Sequence, residues 1–198
     1  MTRQVWDTLL QEVRKTHEAH VDLRSFCAFP TDIIPQDVAP FHIPAADLFT
    51  SENDLADAKQ PALWNALRLA SPHARWRETY KDTDIGDDFM SRFGCYCIIG
   101  DGGAFSSRQM WAWMVYMPAE LPYPFHEHPG EEIYLVIAGS ATFHAHGKPA
   151  RTCAPGDTVF HAANQPHATD THSRPLLALV LWRNGFDSPP VLTPTETT

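Results

Sequence analysis

From Phe89 onward the sequence breaks into short β-prone runs separated by glycine and proline, and this rhythm constrains the fold more than any other feature. Cys95 to Ile99, Gln109 to Met117, Ile133 to Ile137, Ala141 to His146, Thr158 to His161 and Leu176 to Arg183 are rich in β-branched and aromatic residues. Short strands with turn residues between them predict an antiparallel barrel or jelly roll. Gly139 and Gly147 read as the turn residues that fold the sheet back. Pro155, Gly156 and Asp157 form a further turn signature, because proline presets the first central position and glycine accepts positive φ at the second.

Before Phe89 the periodicity is helical. Val5, Trp6, Leu9, Leu10 and Val13 recur on one face and predict an amphipathic helix from about Arg3 to His20. Pro30, Pro35 and Pro40 then break the chain into loops or short turns wrapping the barrel. A second helix is expected from Pro61 to Ala70, and Ser71 with Pro72 suggests a cap leading into a short third helix near Trp76 and Tyr80. The expected organisation is one structural domain, mainly β. A helical region over 1–88 packs on a barrel over 89–187, and residues 188–198, with little apolar content to anchor them, form a mobile tail.

The formal charge of -9, without basic clusters, argues against nucleic acid and anionic membrane surfaces as partners. The N-terminal MTRQVWDTLLQEVRK has no apolar signal-like run and no segment approaches a membrane span, so a cytoplasmic protein is expected. Cys27, Cys95, Cys97 and Cys153 are too sparse for a disulfide framework and read as free thiols.

Chemistry concentrates in Pro124 to Gly139, PFHEHPGEEIYLVIAG. On an extended strand alternate side chains share a face, so His126 and His128 point one way, and Glu132 and Tyr134 likewise. Two imidazoles, a carboxylate and a phenol then converge on one pocket, as a borderline divalent metal requires. A third histidine is expected after the Pro-Gly-Asp turn, where Pro166 interrupts the chain and His167 follows. His144 and His146 repeat the His-x-His spacing, but Lys148 and Arg151 follow where a carboxylate is needed, so they read as solvated strand residues. His161, His172, His17, His20, His42 and His73 lack companions at useful spacing and read as structural.

The order His-x-His, Glu, Gly and then Pro-Gly-Asp with Pro-His resembles the two motifs of the cupins. It implies a single cupin (double-stranded β-helix, jelly-roll) barrel with an N-terminal α-helical cap, and a metal held by His126, His128, Glu132 and His167. Over most of its length the chain further resembles the Q-subtype dimethylsulfoniopropionate (DMSP) lyases, a resemblance carried by HEHPGEEIY, by Tyr134 two residues beyond the motif glutamate, and by Tyr123 and Trp182. Membership would imply cleavage of DMSP to dimethyl sulfide and acrylate, with Tyr134 as the base and Tyr123 and Trp182 positioning substrate. Iron(II) is the metal favoured by that analogy, and zinc, manganese, cobalt or nickel suit the same donors. A small zwitterionic sulfonium carboxylate is then the expected partner, and exposed sheet edges leave room for a homodimer. Two other readings fit the donors: a non-haem iron dioxygenase, and a metal-stabilised sensor without turnover.

Elementary chemistry supports the lyase reading. A metal bound to a carboxylate makes the adjacent carbon acid stronger and favours phenolate at a neighbouring tyrosine. A sulfonium accepts no hydrogen bond, so aromatic faces are its natural partners, and Trp111, Trp113, Tyr116, Tyr123 and Trp182 are candidates. Alternation puts Trp111 and Trp113 on one face of their strand and Tyr116 on the other, so only one set can face the pocket.

Overall fold

The computed structural model describes residues 2–53, 55 and 57–193. Helices α1 (Thr2–Ala19), α2 (Val21–Phe26), α3 (Pro44–Ser51), α4 (Pro61–Ala70) and α5 (Asp87–Arg92) lie in the first half. The apolar stripe of α1 buries Trp6, Leu9 and Val13, while Pro44 and Pro61 sit where a helix needs no N–H. No helix forms near Trp76 and Tyr80. Pro72 opens a single 3-10 turn, Ser71–His73, and Arg75 and Trp76 are then drawn into extended bridges with Phe41 and Tyr96. The Trp76 N–H donates to the Phe41 carbonyl at 3.0 Å, a bond a helix would forfeit. The helical turn comes later, as α5.

The strands, in chain order, are β1 (Ile34–Pro35), β2 (Gly94–Ile99), β3 (Phe105–Ser106), β4 (Trp111–Met117), β5 (Pro122–Glu127), β6 (Glu131–Gly139), β7 (Ala141–Ala145), β8 (Lys148–Cys153), β9 (Thr158–His161), β10 (His167–Asp170), β11 (Leu176–Arg183) and β12 (Val191–Leu192). They pair as two sheets of jelly-roll type, not as one closed barrel. The larger runs β1-β3-β2-β4-β11-β6-β9 and the smaller β12-β5-β10-β7-β8.

Within the larger sheet β6 and β11 are buried on both faces, which is why they read as near-continuous apolar runs. Ile133, Leu135 and Ile137 of β6 and Leu177, Leu179 and Leu181 of β11 join the helices in one core. Tyr134, Val136, Ala178, Val180 and Trp182, one residue out of phase, join a second core between the sheets. A one-residue slip would therefore exchange the two cores.

Helix–sheet ties fix the N-terminal region against the strands. Thr158 Oγ1 donates to Asp22 Oδ2 at 2.6 Å, the His20 ring meets the Gly156 carbonyl at 3.1 Å, and Arg183 donates to the Phe26 carbonyl. Gly139 closes β6 with φ 74°, and a Cβ there would lie 1.7 Å from the Pro175 carbonyl oxygen. Gly156 takes the positive φ its turn demands, 92°.

Beyond Ser188, where an unanchored tail was expected, Val191 and Leu192 pair with Glu127 and His126 of β5, and the Thr193 N–H donates to the Phe125 carbonyl at 2.8 Å. Main-chain pairing anchors the segment, and Leu192 packs against the second core. The rest of that expected tail, 194–198, lies outside the described residues.

Candidate metal centre and cavity

The two sheets bring four candidate ligands together. His126 on β5 stands opposite His167 on β10, and Glu132 on β6 stands opposite Trp182 on β11 and His161 on β9. His128 lies just past the end of β5. All four candidate ligands are buried.

Local backbone geometry orients each imidazole. His126 Nδ1 meets the Pro124 carbonyl at 2.9 Å, His128 Nδ1 the Gly130 carbonyl at 2.9 Å, and His167 Nδ1 the Gln165 carbonyl at 2.7 Å. A carbonyl oxygen only accepts, so each Nδ1 carries the proton and each Nε2 keeps its lone pair. Trp182 Nε1 donates to Glu132 Oε2 at 2.7 Å, which leaves Oε1 to face the histidines. That oxygen lies 2.8 Å from His167 Nε2 and 3.3 Å from His128 Nε2.

Neither approach has hydrogen-bond alignment, and all three atoms are buried without a partner. Buried polar atoms are ordinarily satisfied, so three clustered, buried ligand atoms without a hydrogen-bond partner fit a bound cation. His128, Glu132 and His167 form the group whose ligand atoms lie within 4.8 Å of one another. His126 is outside that group, although its ring centroid is 4.1 Å from that of His167. It borders the centre as a candidate fourth donor.

The electrostatics follow from burial opposed by pairing. Burial would raise the Glu132 pKa, but His128 and His167 hold the carboxylate well below its usual range. Burial lowers and Glu132 raises the pKa of His128, with a net rise. His126 is pushed well down, first by burial and then by His167. The Tyr134 phenol is pushed well above its ordinary value by burial and then by Glu132.

His126, His128, Glu132 and Tyr134 open onto a cavity of about 620 Å³, also lined by Tyr123, Trp182, Trp111, Trp113 and Phe186. Tyr116 points away, with its hydroxyl on Glu52 at 3.0 Å and its ring on Phe49. Glu78, Asp101, Asp187 and Arg77 also line the cavity, the last with its guanidinium over the Trp113 ring at 4.8 Å. Tyr123 lies parallel to the His126 ring at 3.9 Å and shares a 2.7 Å hydrogen bond with the Tyr80 hydroxyl. Phe186, Tyr80 and Cys95 were not identified from the sequence, because each reaches the region through tertiary packing and carries no local spacing signal.

The remaining histidines separate from the centre, with one exception. His144 pairs with Asp170 at 2.9 Å, His172 meets Thr142 at 2.9 Å, and His146 is exposed. His161 is instead completely buried beside His167. The four cysteines are free, and no helix among the described residues is long and apolar enough to cross a membrane.

The model of the DMSP lyase family matches residues 17–178. The chain is 47% identical over 195 residues to the dimethylsulfoniopropionate lyase DddQ of Ruegeria pomeroyi, covering 98% of this chain and 97% of that protein. The crystal structure of that DddQ superposes with a TM-score of 0.95 at 46% identity, covering 98% of this chain and 99% of the other. A chain from the crystal structures of the DMSP lyases RdDddP and RnDddQII gives a TM-score of 0.93 at 36% identity, over 98% of this chain and 100% of that one.

Proposed function

Because the chain belongs to the DMSP lyase family of carbon–sulfur lyases, we propose that it cleaves dimethylsulfoniopropionate to dimethyl sulfide and acrylate at a divalent metal held by His128, Glu132 and His167, with His126 as a further donor. The observation that carries this reading is the convergence of three buried, unpartnered donor atoms beside a buried phenol. Two imidazole nitrogens and a carboxylate oxygen suit iron(II), which we favour, as well as zinc, manganese, cobalt or nickel. When bound, such an ion neutralises the substrate carboxylate, acidifies the carbon next to it and favours the phenolate form of Tyr134.

The chain's own residues divide the remaining work. Tyr134 Oη takes the proton from the carbon adjacent to the carboxylate. The electron pair left there forms the carbon–carbon double bond, the neighbouring carbon–sulfur bond breaks, and sulfur leaves as neutral sulfide with no acid required. Tyr123 and Trp182 position the substrate, and Trp111, Trp113 and Phe186 offer aromatic faces to the sulfonium, each contributing about 0.5 to 2 kcal/mol. The phenol is held neutral by burial and by Glu132, so basicity at Tyr134 depends on the cation's opposing charge.

Headspace detection of dimethyl sulfide tests this reading, using purified protein and DMSP with added iron(II) or manganese(II) and a chelator control. Chelator-sensitive release with equimolar acrylate is expected. No release with either metal would reject the substrate.

A further inference from the structure

The cavity chemistry leaves His161 without a task, yet its position is specific. Each of the three candidate-ligand histidines lies stacked on one aromatic plane. His126 stacks on Tyr123 at 3.9 Å and 8°, His128 on Trp182 at 4.2 Å and 24°, and His167 on His161 at 4.1 Å and 15°. The first two planes are themselves tethered, Tyr123 by the Tyr80 hydroxyl and Trp182 by Glu132. His161 has no such tether. Its ring is fully buried, both nitrogens are without a partner, and its edge contact is with Tyr134 at 5.9 Å and 83°.

A buried imidazole with neither nitrogen satisfied is an expensive way to fill space. The polar atoms therefore do not account for its placement, whereas its flat ring does. The hydrogen bond between His167 Nδ1 and the Gln165 carbonyl holds one edge of the His167 ring and leaves its flat face to be supported by packing. A parallel ring at 4.1 Å supplies that support on one face, with Nε2 2.8 Å from Glu132 Oε1. We infer that His161 is a positioning residue of the metal centre, holding the plane of His167 as Tyr123 and Trp182 hold those of His126 and His128. The inference rests on the metal-site reading above.

Two substitutions separate the plane from the polarity. His161→Phe keeps a flat ring and discards both unsatisfied nitrogens, while His161→Leu keeps bulk and loses the plane. Affinity for cobalt(II) or zinc(II) is measured by competition with a chromogenic chelator, alongside the visible spectrum of the cobalt form and thermal unfolding of the metal-free proteins. The expected result is wild-type affinity and spectrum in His161→Phe with an unchanged or higher melting temperature. His161→Leu should bind roughly 10-fold or more weakly, the scale on which supporting residues act on metal sites, with an altered cobalt spectrum. Wild-type affinity in His161→Leu, or equal losses in both variants, would overturn the assignment. Failure of the wild-type protein to bind either metal would instead reject the metal reading beneath it.

Discussion

Trp182→Phe isolates one hydrogen bond at the centre. The indole Nε1 donates to Glu132 Oε2 at 2.7 Å inside a buried site, and the same ring stacks on His128 at 4.2 Å. Phenylalanine retains the stacking surface and removes the donor. A hydrogen bond to a charged group is worth about 1.5–3 kcal/mol. At about 1.4 kcal/mol per decade, this corresponds to roughly 10- to 100-fold in metal affinity if the whole loss fell on the loaded state. Part of it falls on the metal-free protein as well, where Glu132 also loses its donor. The expected weakening is therefore near the lower bound, about 10-fold, read by chelator competition with cobalt(II) or zinc(II). An affinity within about twofold of wild type, well under that bound, would show that Trp182 does not orient Glu132 through this bond.

Three further outcomes follow from the same geometry. His128→Ala removes one of the three converging donors and should lose both metal content and turnover; normal metal occupancy by elemental analysis would refute its place in the ligand set. Gly139→Ala puts a Cβ 1.7 Å from the Pro175 carbonyl at φ 74°, and a loss of about 3 kcal/mol or more in unfolding free energy is expected, with a melt like wild type counting against the turn geometry. The metal-free protein should lose stability with acid. Burial, then the neighbouring His167, lowers the His161 pKa from 6.5 to about 3, so its contribution is complete above pH 6.5 and is lost as pH falls towards 3. Denaturant titrations should show this decline, and it should be shallower in His161→Phe; identical slopes in the two proteins would contradict it.

The parts of this molecule legible in sequence are those set by local periodicity. Trp6, Leu9 and Val13 mark the buried face of α1 because a helix repeats every 3.6 residues. Glu132 and Tyr134 share a face of β6 because a strand repeats every two. Periodicity could not choose between Trp111 with Trp113 and Tyr116, since both faces of β4 carry aromatic residues. That choice appears only in the tertiary packing, where Phe49 and Glu52 take Tyr116 and leave the tryptophans to the cavity.

Strand β5 shows little β pattern because Pro122 and Pro124 interrupt it. It tolerates them near a sheet edge, where β12 covers only Glu127 and His126. The helix expected near Trp76 and Tyr80 gave way, at Arg75 and Trp76, to bridges that only distant segments could supply. His161 looked structural because its partners, His167 and Tyr134, come from other strands. No spacing within β9 reveals a ring stacked across the sheet.

The most direct test of the proposed chemistry is Tyr134→Phe, assayed for dimethyl sulfide release with metal content measured on the same sample. Phenylalanine keeps the buried ring and removes the only atom assigned to proton abstraction. Normal metal content with release abolished is the predicted result. Release at the wild-type rate would contradict the assignment of Tyr134 as the base.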